Sequence, residues 1–371
     1  MEPARAADVP SELVAVRDDF GALTGYHSAQ ADVEVRLNTN ESPFPPPAAW
    51  LAEFTAELAD VAWNRYPDRA AIGLRQDIAA LHGVDPSWVF AANGSNEALQ
   101  TLLLAYAGPG RRVAVFEPTY QLHAHIARIT GATVVSGSRR DDFSVDPDDA
   151  TAFVAANDPA VTFLCSPNNP TGLVEPPELL DAVLAASTGL VVVDEAYAEF
   201  STWSALDRVA EDQRLVVVRT FSKTWSMAAT RLGYLVGPSW FIAQLDKVVL
   251  PYHLDAAKQL AGRIALRHTD DMERRVSTLV EERGRVTAAL SDLGVEVFPS
   301  GANFVLMRTR DHDAKQVWQR LVDAGVLIRD CSGWSHLDGC LRVTIGLPGE
   351  NDRFLAAMAT ALEPMTVRTQ R

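Results

Sequence analysis

The chain has 371 residues, of which 47% are hydrophobic and 22% are charged, a balance typical of globular proteins. Its formal net charge of −15 argues against nucleic acid as the main partner, since neutralising phosphates requires a basic surface. A negative net charge is nevertheless compatible with a local basic pocket that binds a small anion.

The cysteines and the first residues indicate the compartment. Cys165, Cys331 and Cys340 form no C-x-x-C pair, and three cysteines are too few for a disulfide framework. Their spacing from the histidines does not suggest a metal site. Residues 1–10 carry early charges and no apolar run, and no stretch is long enough to span a bilayer. We therefore expect a cytoplasmic protein with reduced thiols, no metal and no membrane partner.

Proline and valine patterns divide the first 250 residues. "NESPFPPPAAW" (40–50) is proline-dense and predicts an extended connector in front of a helix. Beyond it, valine-rich runs alternate with alanine- and leucine-rich helical patterns. The runs are "RVAVFEP" (112–118), "AVTFLCSP" (160–167), "GLVVVDEAY" (189–197) and "LVVVRTFSK" (215–223). Near-continuous apolar strands separated by helices predict a largely parallel sheet that is covered on both faces.

A smaller mixed region follows "LPYHLDAAKQL" (250–260). The pattern predicts a long charged helix over about 256–290. It then predicts strands at 302–308, 325–330 and 340–346, a helix over 314–324 and a last helix from about residue 350. We assign residues 45–252 to a large α/β domain. Residues 1–44 and 253–371 form a smaller α+β domain with an N-terminal arm.

Polar residues follow the four valine-rich runs, where ligands bind in parallel α/β sheets. In chain order they are Tyr120, Asn169, Asp194, Tyr197, Thr220, Ser222 and Lys223. Upstream, "ANGSNEAL" places Gly94, Ser95 and Asn96 directly before an apolar helix, and a helix N-terminus with free N–H groups is an anion site. We therefore expect one site at this edge of the sheet.

These groups are the set that pyridoxal phosphate requires. An amine forms a Schiff base with the aldehyde, and a carboxylate keeps the ring nitrogen protonated so that the ring acts as an electron sink. An amide and a phenol can hydrogen-bond the ring hydroxyl, and an aromatic side chain can stack on the ring. Hydroxyls, backbone N–H groups and an arginine can hold the phosphate. A lysine in such a pocket is expected to have a lowered pKa, which leaves it nucleophilic.

Each residue also has an ordinary interpretation when it is taken alone. Asp194 could cap the helix that follows it, and Asn169 before Pro170 could be a turn residue. Lys223 by itself is more often a surface charge than a catalytic amine, and Arg231 could be a solvated charge. The co-occurrence of these residues, most of them at strand ends of one domain, favours the cofactor site.

The sequence resembles the fold-type I, aspartate-aminotransferase-like pyridoxal-phosphate enzymes over nearly its whole length. "SPNNPTG", "DEAYAEF" and "SKTWSMAATRLGY" match blocks of that family in order and spacing. Within it, the chain is most similar to histidinol-phosphate aminotransferases. The segments that carry this similarity include "RLNTNESPFPPP", "NRYPD", "ANGSNEAL", "LPYHL", "GVLIRD" and "LRVTIGLPGEND".

This resemblance implies a role for each candidate residue. Lys223 is the Schiff-base lysine, Asp194 pairs with the ring nitrogen, Asn169 and Tyr197 bond the ring oxygen, and Tyr120 stacks on the ring. The cofactor phosphate is surrounded by Gly94, Ser95, Asn96, Thr220, Ser222 and Arg231. Tyr66 reaches the phosphate of a neighbouring subunit, which implies a homodimer with shared active sites. The implied substrate contacts are Tyr26, Asn40, Arg329 and Arg342.

The implied reaction is amino transfer between histidinol phosphate and 2-oxoglutarate in histidine biosynthesis. Two other enzymes of similar fold stay open at this point, an aminotransferase for aromatic amino acids and a threonine-phosphate decarboxylase. A pyridoxal-binding regulatory domain would need an appended DNA-binding segment, and the first fifty residues show no helix-turn-helix pattern or basic stripe.

Overall fold

The structure is a computed structural model that describes residues 17–20, 23, 25 and 30–363. The chain divides into two compact units, Met1–Gln30 and Ala31–Arg371. In the first unit, Asp18–Phe20 form a short 3₁₀ helix. Everything below concerns the second unit.

Strands and helices alternate through most of this second unit. The strands are β1 (Val35–Leu37), β2 (Val89–Ala92), β3 (Arg112–Glu117), β4 (Thr133–Ser138), β5 (Val161–Cys165), β6 (Leu190–Asp194), β7 (Leu215–Thr220), β8 (Gly233–Val236), β9 (Glu296–Val297), β10 (Phe304–Arg308), β11 (Val326–Asp330) and β12 (Cys340–Thr344). The α-helices are α1 (Ala48–Leu58), α2 (Ile72–His82), α3 (Gly94–Tyr106), α4 (Gln121–Ile129), α5 (Pro147–Asn157), α6 (Pro177–Ala186), α7 (Ser239–Val248), α8 (Ala256–Ala265), α9 (Thr269–Asp292), α10 (Ala314–Asp323) and α11 (Pro348–Ala361). Short 3₁₀ helices lie at Pro86–Trp88, Ala198–Phe200, Ala205–Arg208, Ala228–Thr230 and Leu266–His268.

Seven strands form the larger sheet, in the order β2-β8-β7-β6-β5-β3-β4. Every residue of β5, β6 and β7 is buried, which explains why these strands read as unbroken apolar runs. The four predicted valine-rich strands are confirmed as β3, β5, β6 and β7. Sequence reasoning missed β2, β4 and β8, which are short or contain glycine and serine.

Strand directions bring the candidate residues to one edge of this sheet. β3, β4, β5, β6 and β7 are mutually parallel, whereas β8 is antiparallel to both of its neighbours, β7 and β2. β2 therefore runs in the same direction as β7, and its carboxyl end reaches the edge where β3, β5, β6 and β7 also end. The loop that enters β8 starts from the same edge.

Five strands form the smaller sheet, in the order β1-β11-β12-β10-β9. β1 pairs with β11 in parallel, and the other pairs are antiparallel. Helix α9 packs beside this sheet and buries Leu279 and Val286 in its apolar cluster. Met272, seven residues before Leu279 on the same face, is buried in a second cluster with residues of α2 and α8. The strands predicted at 302–308, 325–330 and 340–346 and the helix at 314–324 are confirmed.

One predicted helix is divided in the structure. Between α8 and α9 the backbone tightens into the 3₁₀ helix Leu266–His268, and His268 leaves the helical region at φ −108° and ψ 33°. Charged residues continue on both sides of this break, so the sequence pattern over 256–290 does not reveal it. The domain boundaries at 44/45 and 252/253 stay a prediction. Among the described residues, no helix combines the length and the apolar character that crossing a membrane requires.

Candidate active site

Six strands of the larger sheet place the candidate residues at the shared edge. Across that edge, Gly94 follows β2, Arg231 precedes β8, Lys223 follows β7, Asp194 ends β6, Asn169 follows β5 and Tyr120 follows β3. The order of these residues repeats the order of the strands. A site predicted from separate strand ends is therefore one surface of the folded chain.

A closed loop places Lys223 between β7 and β8. The Ser222 amide donates to Thr220 Oγ1 at 3.1 Å, and the Phe221 amide donates to the Leu232 carbonyl at 3.0 Å, so the loop is tied at both ends. The Lys223 amine donates to the Thr39 carbonyl at 3.1 Å and lies 5.7 Å from the centre of the Tyr197 ring. The lysine therefore points into the site.

The surroundings of the lysine change its acidity. Burial by protein atoms lowers the pKa of Lys223 to about 8, and the nearby Arg342 and Arg231 charges act in the same direction against Glu41 and Asp194. Burial also raises the pKa of the Tyr197 phenol, which accepts a hydrogen bond from Asn40 Nδ2 at 2.9 Å. Near neutral pH the site therefore offers an amine that deprotonates readily beside a phenol that keeps its proton.

Asp194 has a partner that sequence reasoning missed. His123, which is fully buried in α4, places Nε2 2.8 Å from Asp194 Oδ2 and stacks on Phe163 with ring centres 4.4 Å apart. The other Asp194 oxygen accepts from the Ala196 amide at 3.1 Å. The helix that follows, Ala198–Phe200, begins after Tyr197, so Asp194 does not cap it. A histidine one helical turn after Tyr120, in a helix that starts at the sheet edge, is the signal that could have revealed it.

Tyr120 continues this group of rings. Its ring meets His123 edge-on at 5.2 Å between ring centres, and its hydroxyl donates to Asn96 Oδ1 at 3.2 Å. Asn96 lies in the first turn of α3, beside Ser95 and Gly94. The predicted stacking aromatic and the predicted anion site are therefore in contact.

The start of α3 and the residue Arg231 form a cradle for an anion. Gly94 has φ +79°, and a Cβ placed there would lie 2.9 Å from Arg231 Nη2, so a larger residue would push the guanidinium out of this position. Arg231 Nη1 donates to the Ala228 carbonyl at 3.1 Å and reaches Ser222 Oγ at 3.5 Å. A phosphate here would meet the N-terminus of α3, hydroxyls and a guanidinium, the donors that such an anion prefers.

The smaller sheet supplies two arginines. Arg329 and Arg342 lie directly opposite each other on β11 and β12, and both are buried. Arg342 donates to Asn169 Oδ1 at 2.5 Å and to the Asn38 carbonyl at 3.0 Å. Its Nε is buried with no hydrogen-bond partner in the described part of the chain. The two sheets are thus linked through Asn169, and the Nε–H of Arg342 is among the guanidinium donors left for a ligand.

The segment after β1 crosses the site. Asn40, at φ +55°, donates from Nδ2 to Tyr197 and accepts from Thr344 Oγ1 at 3.2 Å. Its carbonyl accepts from Asn303 Nδ2 at 3.2 Å. The predicted substrate residue Asn40 is therefore joined to Tyr197, and through Thr344 to the strand of Arg342.

One predicted residue, Tyr66, stands apart from this group. Tyr66 is 79% exposed and stacks on Tyr252 with ring centres 4.4 Å apart. Tyr26 lies outside the described residues. Over the described ranges, no three histidine, cysteine or acidic side chains are grouped so that they could hold a metal ion.

The arrangement fits the cofactor expected from the sequence. The cradle that a Cβ at Gly94 would fill suits a phosphate, Asp194 offers a buried carboxylate, and Lys223 offers an amine with a lowered pKa. The buried Arg342 Nε suits an anionic substrate. These are the groups needed for amine chemistry on a phosphorylated aldehyde.

Comparison with known proteins agrees with this geometry. Residues 32–358 match the family "Aminotransferase class I and II". The chain is 46% identical over 362 residues to the histidinol-phosphate aminotransferase of Frankia casuarinae, covering 94% of this chain and 90% of that protein. It is 45% identical over 377 residues to the enzyme of the same name from Mycolicibacterium smegmatis, covering 97% and 96%.

A solved structure gives the same result. The histidinol-phosphate aminotransferase of Sinorhizobium meliloti, crystallised in complex with pyridoxal-5'-phosphate, superposes with a TM-score of 0.82 at 26% identity, covering 89% of this chain and 90% of that chain. The predicted fold class, a fold-type I α/β transferase with a mostly parallel central sheet, is confirmed. The chain belongs to the class I and II aminotransferase family.

Proposed function

We propose that this protein is a pyridoxal-phosphate-dependent histidinol-phosphate aminotransferase, which moves an amino group from L-histidinol phosphate to 2-oxoglutarate. The observation that carries the proposal is the Lys223 amine, whose pKa is lowered to about 8 and which faces Tyr197 at 5.7 Å. The similarity to enzymes of this name over more than nine tenths of the chain supports the choice of substrate.

The residues of the sheet edge would hold the cofactor. Lys223 would bind it covalently through Nζ, and Asp194 would pair with its ring nitrogen. Asn169 and Tyr197 would donate hydrogen bonds to its ring oxygen, and Tyr120 would pack on its ring. Its phosphate would lie among Gly94, Ser95, Asn96, Thr220, Ser222 and Arg231. The bound cofactor supplies an electron sink for charge that develops on the substrate carbon.

The chain itself would move the protons. With the substrate amine bound in its place, Lys223 would take the proton from the substrate carbon that bears the amino group through Nζ. An amine with a pKa near 8 suits this task, since about a tenth of it is uncharged at pH 7. Tyr197 keeps its phenolic proton at this pH, so it can donate while Lys223 acts as the base.

Arg342 would bind the anionic end of each substrate in turn. The donor carries a phosphate monoester, and glutamate carries a carboxylate. The planar guanidinium forms paired hydrogen bonds with either group. Arg329, directly opposite on β11, would add a second charge at the phosphate, and Asn40 and Tyr26 would complete the substrate contacts.

We also propose a cytoplasmic homodimer in which Tyr66 reaches the cofactor phosphate of the partner subunit. Tyr66 is 79% exposed and stacks on Tyr252. Trp63 and Leu250, which are close to these two tyrosines in the sequence, are 65% and 76% exposed. Exposed apolar side chains that lie together, as the stacked rings of Tyr66 and Tyr252 do, support an interface. All three cysteines are buried and free, as expected of a protein from a reducing compartment. The charge of −15 does not favour a nucleic-acid partner.

A half-reaction assay tests the function. The purified, cofactor-loaded protein is mixed separately with histidinol phosphate, phenylalanine, glutamate and threonine phosphate, and the absorbance of the lysine-bound cofactor is followed. Fast loss of that band with histidinol phosphate and with glutamate is the expected result. Preferential conversion by phenylalanine would make the protein an aromatic aminotransferase. Release of carbon dioxide from threonine phosphate would make it a decarboxylase.

A further inference from the structure

The loop that joins β11 to β12 is compact and tied to itself. The Cys331 amide donates to the Cys340 carbonyl at 3.1 Å, the Trp334 amide to the Cys331 carbonyl at 3.0 Å, and the Leu337 amide to the Trp334 carbonyl at 3.2 Å. Leu337 and both cysteines are buried in an apolar cluster, and Trp334 packs against that cluster while half-buried. The Trp334 ring therefore has a fixed place beside the two strands that carry the arginines.

Each of these two arginines lies over an aromatic ring. The guanidinium carbon of Arg329 is 5.4 Å from the centre of the Trp334 ring, and that of Arg342 is 5.1 Å from the centre of the Phe304 ring. Directly opposed residues of an antiparallel pair project from the same face, so the two charges share one side of the sheet. An aromatic face attracts a cation and leaves the guanidinium its positive charge for an anion.

We propose that Trp334 is a positioning residue that orients the Arg329 guanidinium toward the phosphate of the amino donor. The inference rests on the proposed function, in which Arg329 contacts that phosphate. Arginine has many rotamers, and a flat surface under its guanidinium restricts them before the substrate arrives. Trp334 thereby favours phosphorylated donors over amino acids, whose carboxylate needs Arg342 alone.

The alternative to this role is simple packing. Trp334 covers part of the apolar cluster of Phe143, Phe298, Leu306 and Leu337, and its loss could loosen the sheet without any effect on Arg329 in particular. Trp318 supplies a matched control. It is also half-buried, and its Nε1 donates to the Ile328 carbonyl at 2.8 Å, next to Arg329 in β11. Both tryptophans support the same strand, but Trp334 is the one whose ring lies under the Arg329 guanidinium.

The test compares Trp334→Leu, Trp334→Phe and Trp318→Leu in the cofactor-loaded protein. One measurement is KM and kcat for histidinol phosphate and for glutamate. The other is the affinity of the loaded protein for inorganic phosphate by calorimetric titration. We expect Trp334→Leu to raise the histidinol-phosphate KM and to weaken phosphate binding roughly 3- to 30-fold, the range of a partly desolvated cation–π contact. The Trp334→Phe variant keeps a ring and should lie between this variant and wild type.

Two sets of results separate this inference from the function on which it rests. The inference is overturned if phosphate affinity is unchanged in Trp334→Leu, if glutamate KM rises as much as histidinol-phosphate KM, or if Trp318→Leu has the same effect. If wild type does not convert histidinol phosphate, the proposed function fails. The phosphate titration then still decides whether Trp334 supports phosphate binding beside Arg329.

Discussion

His123 and Asp194 form a buried pair in which Nε2 lies 2.8 Å from Oδ2. A carboxylate can only accept a hydrogen bond, so His123 Nε2 is the donor. The imidazole is stacked on Phe163 within 4° of parallel, and its position is set by α4. Because both side chains are buried, the pair fixes which way the Asp194 carboxylate faces at the end of β6.

Replacing His123 tests whether this pair supports the reaction. His123→Phe keeps a ring to stack on Phe163 but leaves Asp194 Oδ2 without its donor in a buried site. A hydrogen bond to a charged group contributes about 1.5–3 kcal/mol, so we expect kcat to fall roughly 10- to 100-fold. His123→Gln, whose amide can donate in the same direction, should recover part of the loss. Turnover of His123→Phe within about twofold of wild type would show that Asp194 needs no such support.

Glycine substitutions test the phosphate cradle, and the chain contains a matched pair. Gly94 and Gly83 both have positive φ, +79° and +65°, but a Cβ would approach Arg231 Nη2 to 2.9 Å at Gly94 and meets nothing within 4 Å at Gly83. Either alanine should cost roughly 1–2 kcal/mol of unfolding free energy in the cofactor-free protein, because a left-handed backbone strains any residue with a Cβ. Urea unfolding of each variant measures this loss of unfolding free energy.

Cofactor affinity should separate the two variants. Gly94→Ala displaces the Arg231 guanidinium, so its dissociation constant for pyridoxal phosphate should rise about tenfold or more, the effect of losing one charge-assisted hydrogen bond. Gly83→Ala should bind the cofactor like wild type. Equal affinities of the two variants in an absorbance titration would mean that Arg231 does not hold the phosphate.

The sequence predicted the larger sheet better than the contacts of its edge. The valine-rich runs indicated β3, β5, β6 and β7 because burial on both faces leaves a continuous apolar pattern. Such a pattern carries no information on which side chains meet across distant segments. The contact between His123 and Asp194 joins residues 71 positions apart, and that between Arg342 and Asn169 joins residues 173 positions apart. Tyr66 was predicted from family resemblance, and its exposed position in a single chain leaves that role a prediction.

The lowered pKa of Lys223 predicts how cofactor capture depends on pH. Only the uncharged amine attacks the aldehyde, and with a pKa of about 8 the uncharged fraction grows about tenfold per pH unit below that value and levels off above it. In stopped-flow mixing of cofactor-free protein with pyridoxal phosphate, the second-order rate constant should therefore rise from pH 6 and level off between about pH 8 and 9. A rate that kept rising to pH 10 would indicate an ordinary lysine.

The lowered pKa of Lys223 also makes the free energy of unfolding depend on pH, because the folded and unfolded states bind different numbers of protons. The folded state binds fewer protons than the unfolded chain between pH 8 and 10.5, because the folded pKa is about 8 and the usual value is 10.5. Burying Lys223 therefore costs stability below pH 8, and this cost disappears as the pH rises toward 10.5. Lys223→Met removes the charge, so its stability gain over wild type should be larger at pH 7 than at pH 10 in urea unfolding. Equal gains at both pH values would contradict the shift.

Mixing two inactive variants tests whether the active sites are shared. Lys223→Ala has lost the amine, and Tyr66→Ala has lost the phenol that we place across the interface. If Tyr66 acts on the partner subunit, a mixed dimer contains one site with both Lys223 and Tyr66 intact. Co-refolded mixtures should then regain activity, up to about a quarter of wild type for random pairing with one intact site in half of the dimers.

Tyr252 provides the control for this experiment. It stacks on Tyr66 at 4.4 Å and is also exposed, so Tyr252→Ala removes a neighbouring aromatic ring from the same surface. Loss of dimerisation in light scattering for both tyrosine variants would assign the stacked pair to the interface itself. Normal dimers, with activity restored only in the mixture that contains Tyr66→Ala, would assign Tyr66 to the partner's site. Wild-type protein that is monomeric at assay concentration, or a mixture that stays inactive although mixed dimers form, would place Tyr66 outside the partner's site.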